Sequence, residues 1–148
     1  MMDLRALFLS HNGRIGRTRF WVGWLSLLVI SNAVSELVVS LVGEAVSPQF
    51  IDLVITLLLA WPDFCVGMKR LADRGKGVVY GIVYTGYGVV ASLLMVFAPF
   101  LTEKSDGSLF YNLFWAVVIT LALFFVVECG FMKGMEGPNA YGPEPTLP

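Results

Sequence analysis

Charge is scarce in this chain, and so are the residues that carry most enzyme chemistry. Only 14 % of its 148 residues are Asp, Glu, Lys or Arg, and there are one histidine and two cysteines. With His11 as the sole imidazole, and no serine or cysteine in a hydrolase-type motif, nucleophilic catalysis and metal-assisted hydrolysis lack their parts. Cys65 and Cys129 offer neither a disulfide framework nor a metal-ligand spacing, and they read as packing residues. The Gly75-Lys76-Gly77 run with Gly81 does not make a nucleotide loop, because the spacing is wrong and no strand precedes it. No cofactor and no metal is implied. Repeats of roughly 20–50 residues, low-complexity tracts and domain-sized polar segments are also missing, so residues 1–148 read as a single domain.

What the chain has in abundance is apolar surface: 57 % of it is hydrophobic, and its mean hydropathy is +0.75. Four stretches are long enough to matter, at about 20–42, 50–67, 78–101 and 109–131. Crossing a hydrocarbon core of about 30 Å takes roughly 17–25 helical residues at about 1.5 Å each. The first, third and fourth stretches meet that length easily. The second is marginal, since Asp52 precedes its apolar run and Pro62-Asp63 interrupts it, so a kinked or tilted span is expected. Four such stretches leave no polar faces to cover them in a water-soluble fold. The expected class is therefore all-α: an integral membrane four-helix bundle.

Position matters more than total for the charges. Arg5, Arg14, Arg17 and Arg19 precede the first span, while Lys69, Arg70, Arg74 and Lys76 fall between the second and third. Lys104 stands alone between the third and fourth, and Lys133 follows the fourth. Short loops rich in Lys and Arg stay inside, which puts both termini in the cytoplasm and turns residues 43–49 and 102–108 outward. Phe20, Trp21 and Trp24 then supply an interfacial aromatic belt. The basic start and the Ser31-Asn32-Ala33 stretch resemble a cleaved leader, but the apolar run continues past them to Val42, which suits a retained span. Leu4, Leu7 and Phe8 have the spacing of a short interfacial helix before the Asn12-Gly13 turn. The tail, 132–148, holds four of the seven prolines and cannot be helical.

Four carboxylates lie in or beside the spans: Glu36, Asp52, Asp63 and Glu128. An acid within a membrane is a functional candidate by default. Depth argues for interfacial or paired roles instead. Glu36 lies roughly 24 Å along the first helix, Asp52 opens the second, and Asp63 and Glu128 fall within about two turns of the inner ends. Lys69, Arg70 or Arg17 is the expected partner of Asp63, and Lys133 or a basic residue of the central loop that of Glu128. Along the third span, Gly77, Gly81, Thr85, Gly88 and Ser92 form one stripe of small residues. Gly77, Gly81 and Gly88 are the expected helix-packing positions. Tyr80, Tyr84 and Tyr87 make the neighbouring stripe, for which a ligand groove is the alternative reading.

Three segments together resemble a known family: NGRIGRTRFW at 12–21, PDFCVGMKRLADRGKG at 62–77 and GPNAYGPEP at 137–145. They are similar to the small bacterial inner-membrane proteins grouped as domain of unknown function 805, the YhaH/YhaI-like proteins. The first motif matches at Gly13, Arg14, Ile15, Arg17, Phe20 and Trp21, and the loop at Arg70, Leu71, Asp73 and Gly75. The tail matches at Gly137, Asn139, Tyr141, Gly142, Pro143 and Pro145. Ala72 stands where that family's loop typically has histidine, and Ala140 replaces a common tail arginine. A mechanism needing the loop imidazole would be absent here unless His11 substituted for it. The resemblance implies a multi-pass protein of the bacterial inner (plasma) membrane with cytoplasmic motifs, in a family whose activity is itself unassigned.

All three motifs fall on the expected cytoplasmic side, so Arg14, Arg17, Arg70, Asp73, Asn139 and Tyr141 are expected to meet in one polar cluster. In that arrangement Asp73 pairs with an arginine and the tail folds under the bundle. The order of Arg and Gly exceeds what topology requires, and Arg offers a bidentate fork for phosphate. The expected function is a non-enzymatic binding module for anionic lipid, a protein partner or a second copy of the chain, with no role for nucleic acid. A small transporter or channel subunit is the second reading, which a water-filled cavity near the midplane reaching Asp63 or Glu36 would distinguish, and a membrane enzyme acting on lipid phosphates, which would need the acids and arginines in one cleft, is the third.

Overall fold

The computed structural model describes residues 3–98 and 109–145. The expected outer loop at 102–108, with Lys104, and the last residues of the expected third span, 99–101, lie outside them. Among the described residues there is no strand; an isolated antiparallel bridge joins Asn139 and Gly142. Helices α1 (Leu4–Leu9), α2 (Arg17–Val42), α3 (Pro48–Asp73), α4 (Val78–Phe97) and α5 (Leu109–Phe125) follow in order. A single 3-10 turn, Gly43–Ala45, joins α2 to α3, and α5 runs on into a π-helical turn, Val126–Phe131. Four of these are long and apolar enough to cross a membrane: Arg17–Val42, Pro48–Asp73, Val78–Phe97 and Leu109–Phe131.

Local chemistry sets the helix ends. Ser47 caps α3, its hydroxyl accepting from Phe50 N, and Pro48 occupies the first helical position, where its missing N–H costs nothing. Past the other end of α3, Gly75 turns the chain at φ +70°, a conformation that side chains resist. Pro62 does not break α3, which is continuous through it. The second span is thus 26 residues long and ends at Asp73, six residues beyond the stretch expected from hydropathy. Lys69 and Arg70 consequently belong to its last turns and not to a loop.

α3 is the central element, packed against α1, α2, α4 and the π-helical turn. Phe20, Leu27, Val66, Leu71, Tyr84 and Phe125 form the core between these elements, with Leu7 of α1 buried among them. α1 therefore docks onto the bundle. Two neighbouring residues of α3 help to hold other helices by their C-termini, where carbonyls lack partners and cations are favoured. Lys69 Nζ donates to Leu7 O at 2.8 Å and also to Ala6 O, in the last turn of α1. Arg70 Nε donates to Cys129 O at 2.7 Å, in the π-helical turn that continues α5.

Most long apolar side chains on the outer helix faces are exposed, among them Leu25, Val29, Leu58, Ile82 and Ile119. An apolar surface of this extent is compatible with contact with lipid. The small-residue stripe of α4 divides in its use. At Gly81, an added Cβ would meet Met68 Sδ at 2.8 Å and Phe64 at 3.0 Å, so here α4 and α3 approach closely. Gly77 is the N-cap of α4, with only Tyr141 Oη near, at 3.7 Å. At Gly88 an added Cβ would meet nothing within 4 Å, so no helix of the described bundle packs closely there; it borders a cavity.

Candidate functional site

One end of the bundle gathers its charges in the interior. Asp73, in the last turn of α3, receives Arg14 Nε at 3.0 Å and Arg14 Nη2 at 2.9 Å on Oδ1, and Arg70 Nη1 on Oδ2. All three residues are buried, Arg70 with 1 % of its surface exposed. Two guanidiniums and one carboxylate leave an excess positive charge. Backbone carbonyls accept the remaining donors: Arg14 Nη2 bonds Met135 O at 2.5 Å, and its Nη1 bonds Gly137 O at 2.6 Å and Gly142 O at 3.3 Å. Each of the five N–H groups of Arg14 thereby has an acceptor. Arg70 reaches Cys129 O, Met132 O and, at 3.5 Å, Ile15 O besides Asp73.

The tail closes this cluster because its backbone is shaped to present carbonyls inward. Gly137 and Gly142 take φ of +69° and +134°, turning the chain through the Asn139–Gly142 bridge. Asn139 holds the turn from both sides: Oδ1 accepts from Tyr141 N, and Nδ2 donates to Ala72 O at 2.9 Å. Met135 N donates to Asp73 O at 2.8 Å. Gly134 lies so close to the Asp73 carboxylate that a Cβ there would overlap it. Arg14, Arg70, Asp73 and Asn139 thus come together.

The other two expected members stand at the edge. Arg17 is exposed and makes one long bond, to Phe131 O at 3.4 Å, and Tyr141 is exposed with its ring near Gly77. His11 does not replace the missing loop histidine; it is exposed, with its ring 5.9 Å from that of Trp61, outside the cluster. Glu128 pairs with Arg74 of the central segment at 3.1 Å. Arg19 makes no hydrogen bond or ion pair among the described residues. It lines a cleft of about 270 Å³ beside α1 that also includes Asp3 and Lys69.

A second polar site lies deeper in the bundle. Asp63 has none of its expected basic partners; its carboxylate accepts from Tyr84 Oη at 3.1 Å and Thr85 Oγ1 at 3.0 Å, both on α4. Because α3 continues to Asp73, Asp63 sits roughly 15 Å from that end, nearer mid-helix than the hydropathy-based span implied. It lines a cavity of about 300 Å³ between α2, α3 and α4, together with Trp24, Leu59, Tyr87 and Gly88. The tyrosine stripe is the signal that pointed here; the pairing of Asp63 with α4 hydroxyls was not readable from charge and depth alone.

Comparisons place this architecture in a family. The model of the family described as protein of unknown function (DUF805) matches residues 8–143, which takes in all the residues of the buried cluster. "Uncharacterized protein YiiR" of Escherichia coli (strain K12) is 30 % identical over 145 residues, covering 95 % of this chain and 89 % of the relative. Its counterpart in Escherichia coli O157:H7 gives the same figures. No solved structure matches. With nearly its whole length under the family model, the chain belongs to DUF805.

Proposed function

We propose that this protein is a non-enzymatic, multi-pass protein of the bacterial inner membrane whose polar end faces the cytoplasm and binds anionic lipid headgroups. Within that end the six motif residues divide the work. Arg14, Arg70, Asp73 and Asn139 fix the shape of the face, and Arg17 and Tyr141 take part in contact. The observation that carries this reading is the contrast in donor use. The guanidinium of Arg14 is spent on internal acceptors, whereas Arg19 has no partner among the described residues and Arg17 has one long bond. Each basic residue near an anionic surface contributes roughly 1 kcal/mol of attraction, and an arginine fork suits phosphate. The test is mass spectrometry of lipids retained in native-lipid discs by the wild type and an Arg17→Ala, Arg19→Ala variant. Selective loss of one anionic lipid is expected from the variant. An unchanged lipid profile would overturn the reading, and loss of a co-purified protein instead would reassign the face to a protein partner.

A second reading, a small transporter or channel subunit, is favoured by one observation: a cavity of about 300 Å³ that reaches Asp63. Transport sites are lined by a few polar groups, and Asp63, Thr56 and Thr85 line this cavity. Uptake or release of solute by proteoliposomes, lost on Asp63→Asn, is its test.

A further inference from the structure

The cavity at Asp63 combines features that together define a ligand class. Its one ionisable carboxylate is held by two hydroxyls and by no cation among the described residues. Each described Lys and Arg belongs to α1, the segment leading into α2 and its first turn, the last turns of α3 and the segment after it, or the tail. The field inside the cavity is thus negative or neutral, which excludes anions. Aromatic and aliphatic side chains make up much of its wall, with Trp24 and Tyr87 beside Leu27, Leu28 and Leu59, and Ser31, Thr56 and Thr85 add hydroxyls. A bare metal ion would find a single carboxylate there, and no three His, Cys, Asp or Glu side chains come together among the described residues. An ammonium group on a short apolar body fits better, its charge met by the carboxylate and by ring faces.

Access is also built in. A smaller cleft of about 210 Å³, lined by Ser31, Asn32, Ser35, Asp52 and Thr56, shares Ser31 and Thr56 with the main cavity. Ser35 Oγ donates to Asp52 Oδ1 at 2.6 Å, and Ser92 Oγ donates to Thr56 Oγ1 at 3.4 Å. Polar side chains therefore run from Asp52, in the first turns of α3, to Asp63, some 11 residues or roughly 16 Å further along it. A second carboxylate at the mouth concentrates cations and no anions.

We infer that the Asp63 cavity is a binding site for a small organic cation, a monoamine whose ammonium pairs with Asp63 and whose apolar part lies among Trp24, Tyr87 and Leu59. This names a ligand class for the transport reading; because binding is measured at equilibrium, its failure and the failure of translocation are read separately. The experiment titrates benzylammonium chloride into the full chain in phosphatidylcholine discs by calorimetry, with empty discs subtracted and benzyl alcohol as the uncharged comparator. Two variants are used. Asp63→Asn keeps the shape and an acceptor for Tyr84 while removing the charge. Gly88→Leu fills open space at the cavity wall and leaves the carboxylate in place. Saturable binding of benzylammonium is expected for the wild type, weakened about tenfold or more in both variants. Benzyl alcohol should show only partitioning, equal in all three. Absence of saturable binding to the wild type overturns the inference, as does undiminished binding to Asp63→Asn or to Gly88→Leu.

Discussion

Arg14 and Asp73, 59 residues apart, meet through two hydrogen bonds to one carboxylate oxygen, at 3.0 and 2.9 Å, with 1 % and 4 % of their side chains exposed. Such a pair is retained only when its geometry repays the cost of drying both ions. Asp73→Ala leaves Arg14 and Arg70 without a counter-charge and is expected to cost about 3–5 kcal/mol. Thermal unfolding in detergent, run as a double-mutant cycle with Arg14→Ala, should give a coupling energy of about 0.5–3 kcal/mol. Zero coupling would mean that the carbonyls of the tail, and not Asp73, hold Arg14.

Gly134 tests the tail from its other side. An added Cβ would overlap the Asp73 carboxylate, so Gly134→Ala must push residues around 132–137 outward and weaken the Met135 N to Asp73 O bond. Limited proteolysis should cut the tail of this variant faster than that of the wild type. Lys133→Ala with Glu136→Ala is the control. That ion pair joins residues three apart in the tail and has side chains 73 % and 77 % exposed, so its loss should leave both melting temperature and cleavage rate unchanged.

The meeting of Arg14, Arg70, Asp73 and Asn139 was legible in the sequence, because the three motifs that carry them fall on one side of the expected spans. Their partners were not readable. Most of the acceptors for the two arginines are backbone carbonyls, at Ile15, Cys129, Met132, Met135, Gly137 and Gly142, and a carbonyl leaves no trace in residue type. The end of α3 was hidden for a related reason. Lys69 and Arg70 look like loop residues in a hydropathy pattern, yet each lies at the C-terminal end of another helix, where a buried cation is favoured. Helix number and order were legible because apolar length is a one-dimensional signal. The partner of Asp63 needed the register of α4 against α3, which is three-dimensional.

That register gives a graded prediction across three glycines. At Gly67 an added Cβ would run into the ring of Tyr84, a buried side chain packed edge-on against Phe125, with centroids 5.3 Å apart. At Gly81 the obstacle is Met68 Sδ and the edge of Phe64, and a methionine can shift. At Gly88 there is none. Melting temperatures should fall in the order Gly67→Ala most, Gly81→Ala less, with a cost within the roughly 1–3 kcal/mol typical of overpacking. Gly88→Ala should be neutral or slightly stabilising, through the helix propensity gained. A large loss at Gly88 would mean that α4 packs against something there that the bundle alone does not provide.

The two cysteines report whether the buried cluster opens locally or takes the bundle with it. Both are fully buried, but they are held by different neighbours. Cys129 belongs to the π-helical turn, and its carbonyl is the acceptor of Arg70 Nε, so its burial depends on the cluster. Cys65 lies in mid-α3 next to Val66, which packs against Gly23 and the core. Neither should react with a maleimide in the folded wild type. In Asp73→Asn the two arginines lose their shared counter-charge while the core contacts around Cys65 persist, so Cys129 should label first and Cys65 only at higher temperature, a local opening below the global one. Simultaneous labelling would mean that cluster and core unfold as one unit, and that the tail carries as much of the fold as the helices do.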